Sequence, residues 1–234
     1  MSVDQRFEDF YRLNERFLGR MLHSGVWPSK RTHAGGASIA YVHQYGHGGS
    51  DLSKRDKFCL VACFERSKQA YDFCGGTGKD VRESDPVRHL AKLIFNESIQ
   101  EYGIIPVVPL ECIVAKCLVT GKGKNSLLFI CMVAGMRRDP ITRELQARQS
   151  IGNLDPAYKE MTHCTHVVLH DNGTFDPPNV TEYVRSMHAE LYDILWNKWQ
   201  QGEMPFFDSC FDYVEIRGNG SIHFISAAEK HGRK

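Results

Sequence analysis

No two of the eight cysteines stand in the Cys-x-x-Cys spacing of a zinc knuckle or a dithiol redox motif. Cys59, Cys63, Cys74, Cys112, Cys117, Cys131, Cys164 and Cys210 are scattered, mostly inside apolar runs, and read as buried thiols of a reducing compartment. An excess of one charge sign is missing too. With 29 Lys and Arg against 28 Asp and Glu the formal net charge is +1, so no global field gathers nucleic acid or acidic membrane, and a polyanion must be held by a local patch. Residues 1–22 carry charges throughout, which argues against a signal-peptide core. No later stretch approaches the roughly 18 apolar residues of a membrane span. The expectation is a soluble, intracellular, cytoplasmic protein with no membrane partner. Internal repeats and low-complexity tracts are lacking as well.

What is present is ordinary globular material: 234 residues, 42% hydrophobic and 24% charged, enough for one substantial core with elaborations. Phe7, Phe10, Tyr11, Phe17, Leu18, Met21 and Leu22 recur at helical spacing and predict an amphipathic helix docked on a body. Strands are expected over 37–45 and 58–64. Asp85 can cap and Pro86 can open a helix whose stripe of Leu90, Leu93, Ile94 and Ile99 runs to Gly103. Beyond it, 105–119 and 127–136 read as strands of a hairpin, 137–155 as polar and irregular, 161–170 as a strand and 180–199 as a helix. Residues 213–216 and 222–225 predict a closing hairpin. The order implies an α+β fold, a mixed β-sheet flanked by helices. Its expected parts are an N-terminal helical extension over 1–34, a central domain over 35–200 and a C-terminal hairpin extension over 201–234.

The chemistry-bearing stretch runs from Tyr71 to Ile104. Tyr71-Asp72-Phe73-Cys74-Gly75-Gly76 is followed by a polar loop and then by Asn96-Glu97-Ser98-Ile99-Gln100-Glu101-Tyr102-Gly103-Ile104. Glu97 and Glu101 lie four apart on the expected helix, so both carboxylates project from one face and can share a hard cation; Gln100 can add a neutral oxygen. The stretch resembles the Nudix box, in which a Gly is followed after five residues by Glu and after seven more by Arg-Glu-apolar-x-Glu-Glu-x-Gly-apolar. The resemblance covers roughly residues 35–200. Asn96 stands where the family has Arg, and Gln100 where it has the first Glu of the pair. The Gly76-to-Asn96 spacing is six residues longer than the pattern, an insertion that about one helical turn and a longer loop absorb.

The resemblance implies a Nudix-like sheet and Mg²⁺ (or Mn²⁺)-dependent hydrolysis of a pyrophosphate bond in a nucleoside diphosphate derivative. Glu97, Gln100 and Glu101 are then the metal ligands, and Glu97, Glu101 and Glu160 the catalytic carboxylates, with Glu144 second choice to Glu160. Gly75, Gly76, Lys79, Arg82 and Arg88 are candidates for holding the substrate, the cations as phosphate clamps. Glu83 and Asp85 are candidates for the upstream Glu. The implied partner is a nucleotide or other diphosphate-containing small molecule, with RNA as a further class and an oligomer left open. Loss of the Arg and of one Glu supports an alternative, a catalytically weak or inactive Nudix-fold module that binds nucleotide, RNA or a protein. His163, His166 and His170 cluster, but 163 and 166 point to opposite faces of a strand, which argues against three zinc ligands there. Cys164 lacks an Asn or Asp partner that sequence can place, which argues against a nucleophile.

Overall fold

The computed structural model describes residues 2–23, 36–44, 58–76, 85–120, 124–132, 140–202 and 210–232. The aromatic stripe near the N-terminus forms helix α1 (Val3–His23), which buries Phe10 and Leu18 and packs Phe7, Tyr11, Phe17 and Met21 against the core. Its partner is α2 (Pro86–Glu97). The Asp85 carboxylate accepts the Arg88 N–H at 2.9 Å and Pro86 fills the first turn, so two of the usual start signals act together. The inner face of α2 carries Leu90, Ala91, Ile94 and Phe95, all buried; each large side chain among them contributes about 1.5–3 kcal/mol relative to exposure. Phe95 meets the rings of Phe7 and Phe10 at 5.4 and 5.7 Å. Asn14, fully buried in α1, donates to the Phe10 carbonyl and accepts the Leu110 N–H at 2.7 Å, satisfying both ends of its amide.

The larger sheet joins β1 (Gly36–Gln44), β2 (Phe58–Glu65), β3 (Ala70–Asp72), β4 (Cys74–Gly76), β6 (Val114–Thr120), β7 (Lys124–Met132), β8 (Met161–Leu169) and β9 (Phe175–Asp176) in the order β6-β7-β1-β2-β8-β9, with β3 on β2 and β4 on β1. Among the strand pairs of the described residues, β1–β7 alone is parallel, so the sheet is mixed and the fold is α+β. The register of β1 positions the two glycines. The first half of β1 pairs with β4, Ser38 opposite Gly75, while its second half pairs with β2, which puts Gly75 and Gly76 in the sheet next to α2. A second, smaller sheet has β10 (Phe211–Ile216) between β11 (Ile222–Ser226) and β5 (Ile104–Pro106). Phe10 and Leu18 of α1, together with Phe211, Tyr213 and Val214 of β10, belong to the same core as α2, so the expected extensions share the body's hydrophobic interior.

Two stretches depart from the sequence expectation. The strand foreseen over 105–119 is broken into β5, a helical turn α3 (Leu110–Ile113) and β6. Pro106 and Pro109 cannot donate to a ladder, and the Pro109 carbonyl instead accepts the Cys112 N–H. Within 137–155, foreseen as irregular, residues 140–149 form α4 (Pro140–Gln149). Its buried face is Ile141, Leu145 and Arg148, one charged residue in three, so the apolar period is too sparse to read. The remaining helices are α5 (Glu182–Gln200) and α6 (Ala227–Gly232). No helix among the described residues is long and apolar enough to cross a membrane.

Candidate functional site

α2 does not end at Glu97. Ser98–Tyr102 continue it as a single π-helical turn, closed by Gly103 in the left-handed region at φ 69°, whose N–H reaches back to the Ser98 carbonyl. A π turn widens the helix, and such bulges recur where a side chain has to be aimed. Here it aims Glu101. The turn is held from behind by Arg148 of α4, which is fully buried and donates at 2.9 Å to the carbonyls of both Ile99 and Gln100, and more weakly to that of Val214 in β10. Glu144 balances its charge at 3.0 Å and also accepts the Ile216 N–H at 2.9 Å. A Cβ on Gly103 would stand 2.7 Å from the Arg148 guanidinium, so the left-handed backbone and the close approach both require glycine.

With the turn fixed, Glu101 is buried and its Oε2 accepts the Gly75 N–H at 2.5 Å. This bond ties the helix to β4 at Gly75. Glu160 arrives from another direction: its carbonyl accepts the Arg66 N–H at 3.0 Å, just past the β2–β8 bulge where Glu65 lies opposite Met161. The charges of Glu97, Glu101 and Glu160 are near enough to act on one another. Burial, then the charge of Glu160, pushes the Glu97 carboxyl up to about 7. Burial, then the charge of Glu97, holds Glu101 well above the ordinary range, with Glu160 and Glu65 adding to the effect and the Gly75 N–H opposing it. Glu65 is buried and neutralised: Ser67 donates to it at 2.5 Å, and Lys68 bridges Glu65 and Asp72 at 2.5 and 2.7 Å. Burial acts to lower the Lys68 ammonium, but the two carboxylates outweigh it and leave it above its usual value.

The sequence-derived candidates separate accordingly. Glu101 is joined to Gly75 by a hydrogen bond, the charges of Glu97 and Glu160 bear on it, and Gly76 follows Gly75 in β4. Gln100 lies in the π turn beside Glu101. Arg88 does not join them: at the far end of α2 it pairs with Glu8 and lies 5.0 and 4.8 Å from the ring centres of Phe7 and Tyr11, serving the α1–α2 contact. Asp85 caps α2, and Glu144 is held by Arg148. Lys79, Arg82 and Glu83 fall outside the described residues. His163 is enclosed by Phe64 and Tyr71, with the Tyr71 hydroxyl 3.0 Å from Nε2 and the Thr162 hydroxyl 2.8 Å from Nδ1, and burial lowers its pKa. Glu65 and Lys68 are the members that sequence reasoning missed; a lone acid closing an apolar strand was their only signal.

Among the described residues, no three His, Cys, Asp or Glu side chains stand arranged as ligands of one ion. The donor chemistry nevertheless fits a hard divalent cation, because every converging side chain offers carboxylate oxygen. The raised carboxyls set the sign of a pH effect. A carboxyl whose folded pKa exceeds its unfolded one favours the fold while protonated, so this contribution is intact below about 4.5 and is lost as pH rises through about 7. Calorimetry in chelator should show the unfolding free energy contributed by Glu97 lower at pH 8 than at pH 5 by roughly 2 kcal/mol. Glu97→Gln should flatten that slope; an unchanged slope would remove Glu97 from the cluster.

No protein-family model and no curated protein matches the sequence.

Proposed function

We propose that the chain is a Nudix-type pyrophosphohydrolase that takes a nucleoside diphosphate derivative. The observation that carries this reading is Glu101, buried at the π turn and held by the Gly75 N–H of β4, with Glu97 four residues before it. Burial raises both of these carboxyls, which is costly to a fold, and such groups concentrate at functional sites. Glu97 and Glu101 would hold a Mg²⁺ or Mn²⁺ ion, with Glu160 adjacent. Bound there, the ion would supply positive charge for the diphosphate and acidity for a coordinated water. Gly75 fixes Glu101 through its backbone N–H, so that one carboxylate oxygen is directed and the other remains for a ligand. Glu160, which is exposed, can take the proton from the attacking water. Arg148 and Gly103 keep the π turn from relaxing and so keep the two helix carboxylates in register.

A Mn²⁺ titration followed by electron paramagnetic resonance tests the site apart from turnover. Glu101→Gln should weaken binding at least tenfold, about 1.4 kcal/mol, and Asp171→Asn, in an exposed turn, should leave it unchanged. Equal affinities for the two variants would count against the site.

A second reading has its own support. Asn96 and Gln100 place amides where the family pattern carries an Arg and a Glu, and an amide removes one negative charge from the cation's surroundings. The chain would then be a catalytically weak or inactive module that holds a nucleotide, RNA or a protein partner in the same cleft.

A further inference from the structure

Among the described residues, two thiols approach each other closely between adjacent strands. Cys63 of β2 and Cys164 of β8 are direct partners in the antiparallel register. Their sulfurs stand 2.8 Å apart, both as thiols. Directly opposed residues of an antiparallel pair have Cα atoms about 4.5–5.5 Å apart, inside the range of about 4.4–6.8 Å that a disulfide spans, so the backbone need not move to close the bond. The pair also has one buried and one accessible member: Cys63 is fully buried, whereas Cys164 is partly exposed. The backbone N–H of Cys164 is tied to the Thr142 hydroxyl of α4 at 3.0 Å, which fixes the strand at that residue. The β2–β8 bulge begins at this pair and ends at Glu65 opposite Met161.

We infer that Cys63 and Cys164 form a peroxide-responsive dithiol, which a peroxide converts to a cross-strand disulfide. The chemistry balances in two steps. The Cys164 sulfur attacks one oxygen of hydrogen peroxide, the O–O bond breaks, and Cys164 becomes a sulfenic acid with release of water. The Cys63 sulfur then attacks the Cys164 sulfur, the S–O bond breaks, and the Cys63 proton leaves with hydroxide as a second water. The oxidant meets only the accessible sulfur, and the buried one acts over a distance already set by the strand register. A small dithiol reverses the bond by exchange. This modification of the sheet is independent of the metal reading.

Limited hydrogen peroxide, alkylation of remaining thiols under denaturing conditions, and peptide mapping by mass spectrometry test it on the full chain. The expected product is a Cys63–Cys164 linked peptide pair with the loss of two alkylatable thiols relative to the untreated chain, restored by dithiothreitol, while the exposed Cys112 stays alkylatable. Cys63→Ser should divert Cys164 to the sulfinic acid, because no partner sulfur resolves the first product. An unchanged thiol count, linkage of either cysteine to Cys112, or sulfinic acid at Cys164 in the unmodified chain would overturn the inference.

Discussion

Arg148→Met is expected to destabilise the protein by about 3–5 kcal/mol, the range found when one partner of a buried ion pair is removed. The side chain is fully buried, and its guanidinium satisfies the carbonyls of Ile99 and Gln100, reaches Val214 and pairs with Glu144. Methionine fills a similar volume but donates nothing, so the buried carbonyls lose their donor and Glu144 keeps a half-satisfied charge. Burial acts to lower the Arg148 pKa and Glu144 acts to restore it. Urea denaturation reads the loss directly. The same variant should weaken Mn²⁺ binding under conditions where it remains folded, because the π turn it clamps carries Glu101. A loss below about 1 kcal/mol, the scale of a single ordinary hydrogen bond, would mean that the turn is held by something other than this arginine.

The second large effect concerns the two amides. Asn96→Arg with Gln100→Glu is expected to raise metal-dependent turnover tenfold or more, equivalent to at least about 1.4 kcal/mol of barrier. Asn96 is exposed on α2 and lines the groove that Lys92 and Phe95 form with α1, so a longer side chain has room there; in the family pattern the arginine would orient a helix carboxylate by a charge-assisted bond. Gln100 contributes its backbone carbonyl to Arg148, and this bond survives replacement of the side chain. The new carboxylate would then add charge to the cation's surroundings without disturbing the clamp. Phosphate release by the wild type, the double variant and each single variant separates the two contributions. No gain from any of them would favour the binding-module reading.

Much of the scaffold was legible because its signals are local. Asp85-Pro86 and Gly103 mark the ends of the segment that carries the glutamates, and the aromatic period of residues 7–22 marks α1. The strand over 161–169 and the closing hairpin follow from short apolar runs bounded by turns. What could not be read depends on partners far along the chain. α4 hides its role because its deepest side chain is an arginine, which in isolation reads as solvated charge; only the carbonyls of a π turn 48 and 49 residues earlier explain it. A π turn itself has no sequence signature, since five residues of ordinary helix propensity fill it. The place of Arg88 was hidden for the converse reason, that Glu8 and two rings of α1 hold it across the α1–α2 contact. Glu65 and Lys68 are a local pair, but the charge of Glu65 bears on Glu101 only after β2 and the π turn are assembled.

Whether the carboxylate cluster hydrolyses a pyrophosphate bond is answered most directly by product analysis after incubation with dinucleotides, sugar nucleotides, capped RNA and inositol pyrophosphates, with Mg²⁺ or with chelator. The account predicts slow, metal-dependent cleavage of at least one nucleoside diphosphate derivative, reduced about a hundredfold or more in Glu101→Gln, on the scale of about 2.7 kcal/mol of transition-state stabilisation. Absence of cleavage across the panel, or cleavage that persists equally in chelator and in Glu101→Gln, would contradict it.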